Sequence, residues 1–214
     1  EYLDLVSLGT VCDVVPLTGL NRAIVKQGLK VLKSKKNLGL KTLIDICGIN
    51  TQPNIYHMGY VLGPRINAGG RVGKSSHGAN LLLNNNAKEV FKIASELDQF
   101  NKERQYLEED VLNKIAIEAN KTQSDPVIIL SGKNWHEGVI GIVASRLKDK
   151  FNKPVIIITV DKNLGKASAR SVIGFDIGSI IIAAMQEKIL IKGGGHKMAG
   201  GFTIDVNNIE RFKE

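Results

Sequence analysis

At 214 residues, 43% apolar and only 5% aromatic, the chain can build one or two cored α/β domains, and it is not a disordered polymer. A formal charge of +8 favours polyanionic partners, nucleic acid foremost, although many basic proteins bind nothing anionic. The longest apolar runs are too short to cross a bilayer, no secretory signal opens the chain, and two cysteines make neither a disulfide framework nor a zinc site, so a cytoplasmic setting without membrane contact is expected. The first residue is Glu1, not a methionine, and an apolar segment follows at once, as it would inside a longer protein.

Residues 3–17 read as a short helix or strand that enters a turn at Asp13–Pro16. Residues 20–34 place Ile24, Leu29 and Leu32 between Arg22, Lys26, Lys30 and Lys33, an amphipathic helix whose basic face a solvated surface explains more simply than a binding surface. A second short helix covers 38–48 and closes on Gly48. LGPRINAGGRVG, residues 62–73, breaks the periodicity with four glycines and a proline, and reads as a structured loop or a loop capping a helix. From residue 87 to about 119, apolar positions three or four apart predict one long helix. Its middle, DQFNKERQYLEED, is too polar to be buried on all sides, which suits a spacer between two domains.

After residue 122 the pattern shortens. Strands over 127–131 and 154–160 flank a helix over 138–149, a βαβ unit with a parallel pair. A third strand follows at 166–172, a helix near 177–189, then a glycine loop and a last strand at 201–206.

Four stretches could carry chemistry. GGGHKMAGG, residues 193–201, holds five glycines in nine positions. Gly193, Gly194 and Gly195 could curl their N–H groups into an anion-binding nest with His196 as a further donor and Lys192 and Lys197 adding charge; a tight turn is the plainer alternative. In SARS, residues 168–171, a strand period of two puts Ser168 and Arg170 on one face, and arginine offers a forked donor to phosphate. WHEGVIGIVASR, residues 135–146, brings the one tryptophan and His136 to the end of a strand feeding a helix, the edge where open α/β sheets bind ligands; a buried tryptophan that anchors the loop is the alternative. Asp13 follows an apolar segment in GTVCDVVPL, where a carboxylate is either a turn former or a metal ligand.

Taken in order, LGTVCDVVPL, GPRINAGGRVG, WHEGVIGIVASR, SARS and GGGHKMAGG resemble the RecJ branch of the DHH phosphoesterases along nearly the whole chain. The resemblance implies the end of a DHH catalytic domain over residues 1–84, a spacer helix over 85–121, and a small α/β DHH-associated domain with a mixed sheet over 122–214. It implies a monomeric 5′ to 3′ exonuclease of DNA repair and recombination that releases mononucleotides from single-stranded DNA by two-metal hydrolysis with Mn2+ or Mg2+. A single-stranded-DNA-binding protein is a reasonable partner. On this resemblance Asp13 is a metal ligand and, with His196, catalytic; Ser168, Arg170, Gly193–Gly195, His196 and His136 hold substrate phosphate; Arg65 and Arg71 line the DNA path or grip phosphate.

The departures bear on activity. Neither Asp-x-Asp nor Asp-His-His occurs in these residues, the OB-fold usual downstream is absent, and Asn-Ala-Gly-Gly replaces the commoner Asn-Ala-Ala-Gly from Asn67. The fragment alone is expected to hydrolyse no DNA. Two other readings remain open: a phosphodiesterase for oligonucleotides or cyclic dinucleotides of the same superfamily, and a non-catalytic DNA-binding relative.

Overall fold

The structure is a computed structural model that describes residues 2–214, the Gln123 side chain excepted. It divides into two compact units, Glu1–Arg104 and Gln105–Glu214.

The first unit is helical: α1 (Leu3–Cys12), α2 (Gly19–Lys33), α3 (Leu38–Ile46), a π-helical turn (His57–Leu62), α4 (Gly63–Val72), α5 (His77–Leu83) and the first half of α6 (Ala87–Lys121). The α1–α2 crossing is close because Gly28 has no side chain: a Cβ there would lie 1.7 Å from Ser7 Oγ. Ser7 uses that hydroxyl to donate to Leu3 O at 2.6 Å and Ile24 O at 3.0 Å, so the polar group is satisfied although fully buried. Asn37 caps α3, its side chain accepting from the Leu40 N–H at 2.9 Å.

The GPRINAGGRVG stretch is not a loop. It forms α4, directly continuing the π-helical turn. Three of its four glycines, Gly63, Gly69 and Gly73, serve packing rather than turning. A Cβ on Gly63 would lie 2.4 Å from Cys12 Sγ, and one on Gly73 would strike the Phe100 ring at 2.5 Å. Pro64 follows directly on the π-helical turn inside a continuous helical run, so it removes one backbone donor where Gly63 N–H already reaches back to Met58 O.

Helix α6 keeps one buried stripe from end to end: Val90, Ala94 and Leu97, then Asn101, Arg104 and Glu108, then Val111, Ile115 and Ala119. The spacing of three and four never breaks, but the three central positions are polar. The middle of the helix is thus buried along one stripe and exposed elsewhere, in keeping with a composition too polar for burial on all sides. Arg104 donates to Asn101 Oδ1 at 3.0 Å, and Glu108 pairs with Arg146.

The second unit is α/β: β1 (Ile128–Lys133), α7 (Glu137–Phe151), β2 (Val155–Asp161), β3 (Leu164–Arg170), α8 (Ile177–Gln186), β4 (Leu190–His196), β5 (Ala199–Asp205) and a final turn of helix, α9 (Ile209–Lys213). The five strands make one mixed sheet in the order β1-β2-β3-β5-β4. The β1–β2 pair is parallel and crosses over through α7, as the βαβ pattern predicts; the remaining pairs are antiparallel. Asn152, left-handed at φ 50°, ends α7 two residues before Pro154.

Helix α7 packs Val139, Val143 and Leu147 against Leu130, Val155 and Ile157 on one face of the sheet. Helix α8 packs Ile177, Ile181 and Ala184 against Ile158, Phe202 and Ile204 on the other. Each fully buried aliphatic side chain contributes about 1.5–3 kcal/mol. Because α7 sits over β2 and one side of β3, the same face over β5 and β4, with β3 at its margin, is left for other uses. No helix of the described residues is long and apolar enough to cross a membrane.

Candidate nucleic-acid interface

The expected glycine nest is not there. Gly193, Gly194 and Gly195 lie inside strand β4, and none has the positive φ that a nest requires among alternating residues. β4 and β5 form a hairpin whose two-residue link is Lys197–Met198, with His196 opposite Ala199. The link is pinned from outside: Ser171 N–H donates to Met198 O at 2.9 Å, and Ile177 N–H donates to Lys197 O at 3.3 Å.

The glycines divide by strand alternation. On the α8 face, a Cβ on Gly193 would lie 2.9 Å from Ile181, one on Gly200 would lie 2.4 Å from the same side chain, and one on Gly195 would meet the backbone of Ala199 and Gly200. Those three glycines let the helix and the hairpin close up. On the opposite face, a Cβ on Gly194 would meet nothing within 4 Å. Its partner Gly201 lies beside Ser168.

Strand register arranges that opposite face in three rows. Arg170, Ala199 and His196 form one, Ser168, Gly201 and Gly194 the next, and Lys166, Thr203 and Lys192 the third. The middle row has no side chain beyond the serine. A cavity of about 610 Å3 opens here, with Lys166, Ser168, Lys192, Thr203, Glu137 and Ile140 in its walls. Arg170 and His196 lie one row beyond those walls. The face is cationic with one carboxylate, Glu137, which pairs with Lys166 at 2.5 Å.

Ser168 and Arg170 do share a face, as strand period predicts. Arg170 Nη1 donates to Ser168 Oγ at 3.0 Å and to Ala169 O at 2.8 Å, which holds the guanidinium over the strand. Gly141 of α7 packs on this pair: a Cβ there would lie 2.9 Å from Ser168 Oγ. His196 is exposed, and its Nδ1 accepts the Met198 N–H at 3.3 Å. His136 is the N-cap of α7, its Nδ1 accepting the Gly138 N–H at 3.1 Å. In the neutral form both rings therefore carry their proton on Nε2, pointing away from their own backbone as donors. Trp135 is the buried anchor of this loop: its ring packs on Gly132 and its carbonyl accepts from Thr159 Oγ1 at 2.8 Å.

The expected residues of the first unit are Asp13, Arg65 and Arg71. Asp13 is exposed just past the end of α1. Among the described residues no three His, Cys, Asp or Glu side chains come together as a metal site. Arg65 donates to Asp98 Oδ1 at 2.8 Å and to Val61 O at 2.8 Å, so it ties α4 to α6. Burial alone would raise the Asp98 carboxyl, but hydrogen bonds from Lys102 and Arg65 outweigh it and hold the group below the usual carboxylate range. Arg71 is six residues further along α4, which at about 100° per residue turns it roughly 120° away from Arg65.

Sequence reasoning missed Lys166, Thr203, Glu137 and Gly141. Lys166 was within reach, since it continues the alternation of Ser168 and Arg170. The others depend on how β5 and α7 meet β3, which no local pattern encodes.

The DHHA1 domain family matches residues 124–214. The single-stranded-DNA-specific exonuclease RecJ of Bacillus subtilis is 37% identical over 214 residues, covering 98% of this chain and 27% of that protein. The RecJ of Salmonella typhimurium is 37% identical across 100% of this chain and 39% of its own length. A crystal structure of RecJ with Mn2+ from Thermus thermophilus superposes with a TM-score of 0.87 at 35% identity, covering 99% of this chain and 31% of that one. A second, with Mg2+, gives 0.84 at 34% identity and covers 99% and 33%. The chain thus spans between about a quarter and two fifths of the curated relatives it matches. It belongs to the RecJ family of DHH phosphoesterases, of which it carries the DHHA1 domain and residues preceding it.

Proposed function

We propose that this chain is the substrate-gripping part of a 5′ to 3′ single-stranded-DNA exonuclease of DNA repair and recombination. The parent enzyme releases mononucleotides with Mn2+ or Mg2+ and acts as a cytoplasmic monomer alongside a single-stranded-DNA-binding protein. Residues 1–84 end its catalytic domain, 85–121 link the domains, and 122–214 hold the substrate. The observation that carries this reading is the three-row face of β3, β5 and β4: a floor bare of side chains at Gly194 and Gly201, flanked by Ser168, Arg170, His196, Lys166 and Lys192.

A terminal phosphate resting on that floor meets the Ser168 hydroxyl, the Arg170 guanidinium, and the Nε2–H of His196. Each hydrogen bond to a charged group contributes about 1.5–3 kcal/mol. Lys166 and Lys192 add charge from the third row without imposing geometry. His136, held as the α7 cap, offers a donor at the helix N-terminus, where backbone N–H groups also favour an anion. On this reading His196 binds and orients the phosphate. A role as general base would need its free nitrogen unprotonated.

A pair of divalent metals, once held, would supply an activated water and charge stabilisation for the departing oxygen. The residues described here do not by themselves fit that pair, since Asp13 stands alone and exposed. Asp13 supplies one ligand to a centre completed by residues outside these 214. The chain alone therefore releases no mononucleotides from single-stranded DNA in Mn2+, and robust release would refute this assignment.

Titration of the chain with a 5′-phosphorylated oligonucleotide, read by amide NMR, tests the site. Shifts should concentrate at residues 166–170 and 192–201. Shifts that spare both strands would overturn the proposal.

A further inference from the structure

We infer that the exposed ridge of Arg22, Lys26, Lys30 and Lys33 on α2 is a track for the phosphate backbone of single-stranded DNA. The inference rests on the single-stranded-DNA reading above but concerns a surface on the other unit. From 14 to 44 the chain has seven Lys and Arg and no Asp or Glu. Within α2 the four cations lie on one flank. At about 100° per residue they fall within roughly 80° of arc, centred about 130° from the buried Val25, Gly28 and Leu32. All four are exposed, and none has an ion pair among the described residues. The acids that flank this stretch in sequence are Asp13 and Asp45, and Asp45 is taken by Lys35 at 2.9 Å.

A purely solvated helix face is ordinarily laced with both signs, since i,i+4 pairs of opposite charge stabilise it and like charges destabilise it. Here Arg22–Lys26 and Lys26–Lys30 are like-charge i,i+4 pairs, a small cost to the helix that a polyanion lying along the ridge would offset. The rise of about 1.5 Å per residue spaces the cations by about 6, 6 and 4.5 Å over roughly 16 Å. That spacing is of the order of successive phosphates on an extended strand. A linear row of flexible ammonium groups with no flanking pocket reads backbone charge without base sequence.

The test is binding of a 25-nucleotide oligothymidylate, with and without a 5′ phosphate, across a salt series. It compares the 214-residue chain with the quadruple variant Arg22→Gln, Lys26→Gln, Lys30→Gln, Lys33→Gln. Glutamine keeps helix propensity, and relief of the like-charge pairs at exposed positions should leave thermal stability unchanged or slightly raised. Each phosphate contact on a single strand contributes about 0.7 to the slope of log K against log salt. The quadruple variant should lower that slope by about 2–3 for both strands while leaving the extra affinity from the 5′ phosphate intact. Lys26→Glu with Lys30→Glu should lower it likewise. Arg170→Ala should instead remove the 5′-phosphate gain. If the slope is unchanged in both ridge variants, the track does not exist, whatever Arg170→Ala does. If the slope falls but Arg170→Ala changes nothing, the track stands and the terminal-phosphate site fails. If the ridge variants lose binding to a polyglutamate peptide but not to the oligonucleotide, the partner is an acidic polypeptide and the DNA assignment is overturned.

Discussion

Gly194 and Gly195 are neighbours in sequence, yet replacing each by alanine should have opposite results. A Cβ at Gly195 would sit 2.5 Å from Ala199 O and 2.6 Å from Gly200 Cα, both backbone atoms of the paired strand. Tolerable contacts begin near 3.0 Å, so the hairpin must open by about half an ångström. Overpacking of that kind costs about 1–3 kcal/mol. A Cβ at Gly194 meets nothing within 4 Å, and its φ is not positive. Removing glycine's freedom in the unfolded chain there stabilises by about 0.4–1 kcal/mol. Urea unfolding should therefore separate the two variants by about 1.5–4 kcal/mol. The order reverses in function: Gly194→Ala places a methyl group on the bare floor, in the row it shares with Gly201 and Ser168, so it keeps the fold but weakens binding of a 5′-phosphorylated oligonucleotide. A backbone nest over Gly193, Gly194 and Gly195 would make both variants lose binding alike with little change in stability. Equal unfolding midpoints for the two would refute the strand assignment of this segment.

Two further outcomes follow from the packing. Asp98 has its carboxyl held low, so its pairing with Arg65 and Lys102 contributes stability that is fully present above the ordinary carboxylate value near 3.9 and is lost as pH falls through the lowered one. Asp98→Asn should flatten that part of the acid limb in urea unfolding, and an unchanged acid limb would contradict the pairing. Trp135→Ala should destabilise the second unit by about 3–5 kcal/mol, since the ring is buried on Gly132 and against the α7 core, whereas a midpoint shift near zero would show the loop does not need its anchor.

Much of the fold was legible because periodicity carried it. The α6 stripe, the β1–α7–β2 crossover and the shared face of Ser168 and Arg170 all follow from spacings of 3.6 and 2. Glycine misled twice, for one physical reason. In residues 62–73 the glycines were read as a loop and in 193–201 as an anion-binding nest, yet most of them are places where another element presses on the backbone: Cys12 on Gly63, Phe100 on Gly73, Ile181 on Gly193 and Gly200. A glycine chosen for close approach and one chosen for positive φ are identical in sequence and differ only in three dimensions. The buried Asn101, Arg104 and Glu108 were illegible for a related reason, since their partner Arg146 lies on another element. Arg65 was expected on the DNA path. Its ion pair with Asp98 is 33 residues away in sequence and could not be read locally.

The most direct test of the central claim, that the face of β3, β5 and β4 grips a terminal phosphate, is the affinity gained by adding a 5′ phosphate to a short single strand, measured on the chain and on Arg170→Ala. The account predicts a clear gain on the unaltered chain that shrinks about tenfold to a hundredfold in the variant, the loss of one charge-assisted contact. Equal affinities for both strands on both proteins would contradict it, and would leave the bare floor at Gly194 and Gly201 a feature of hairpin packing alone.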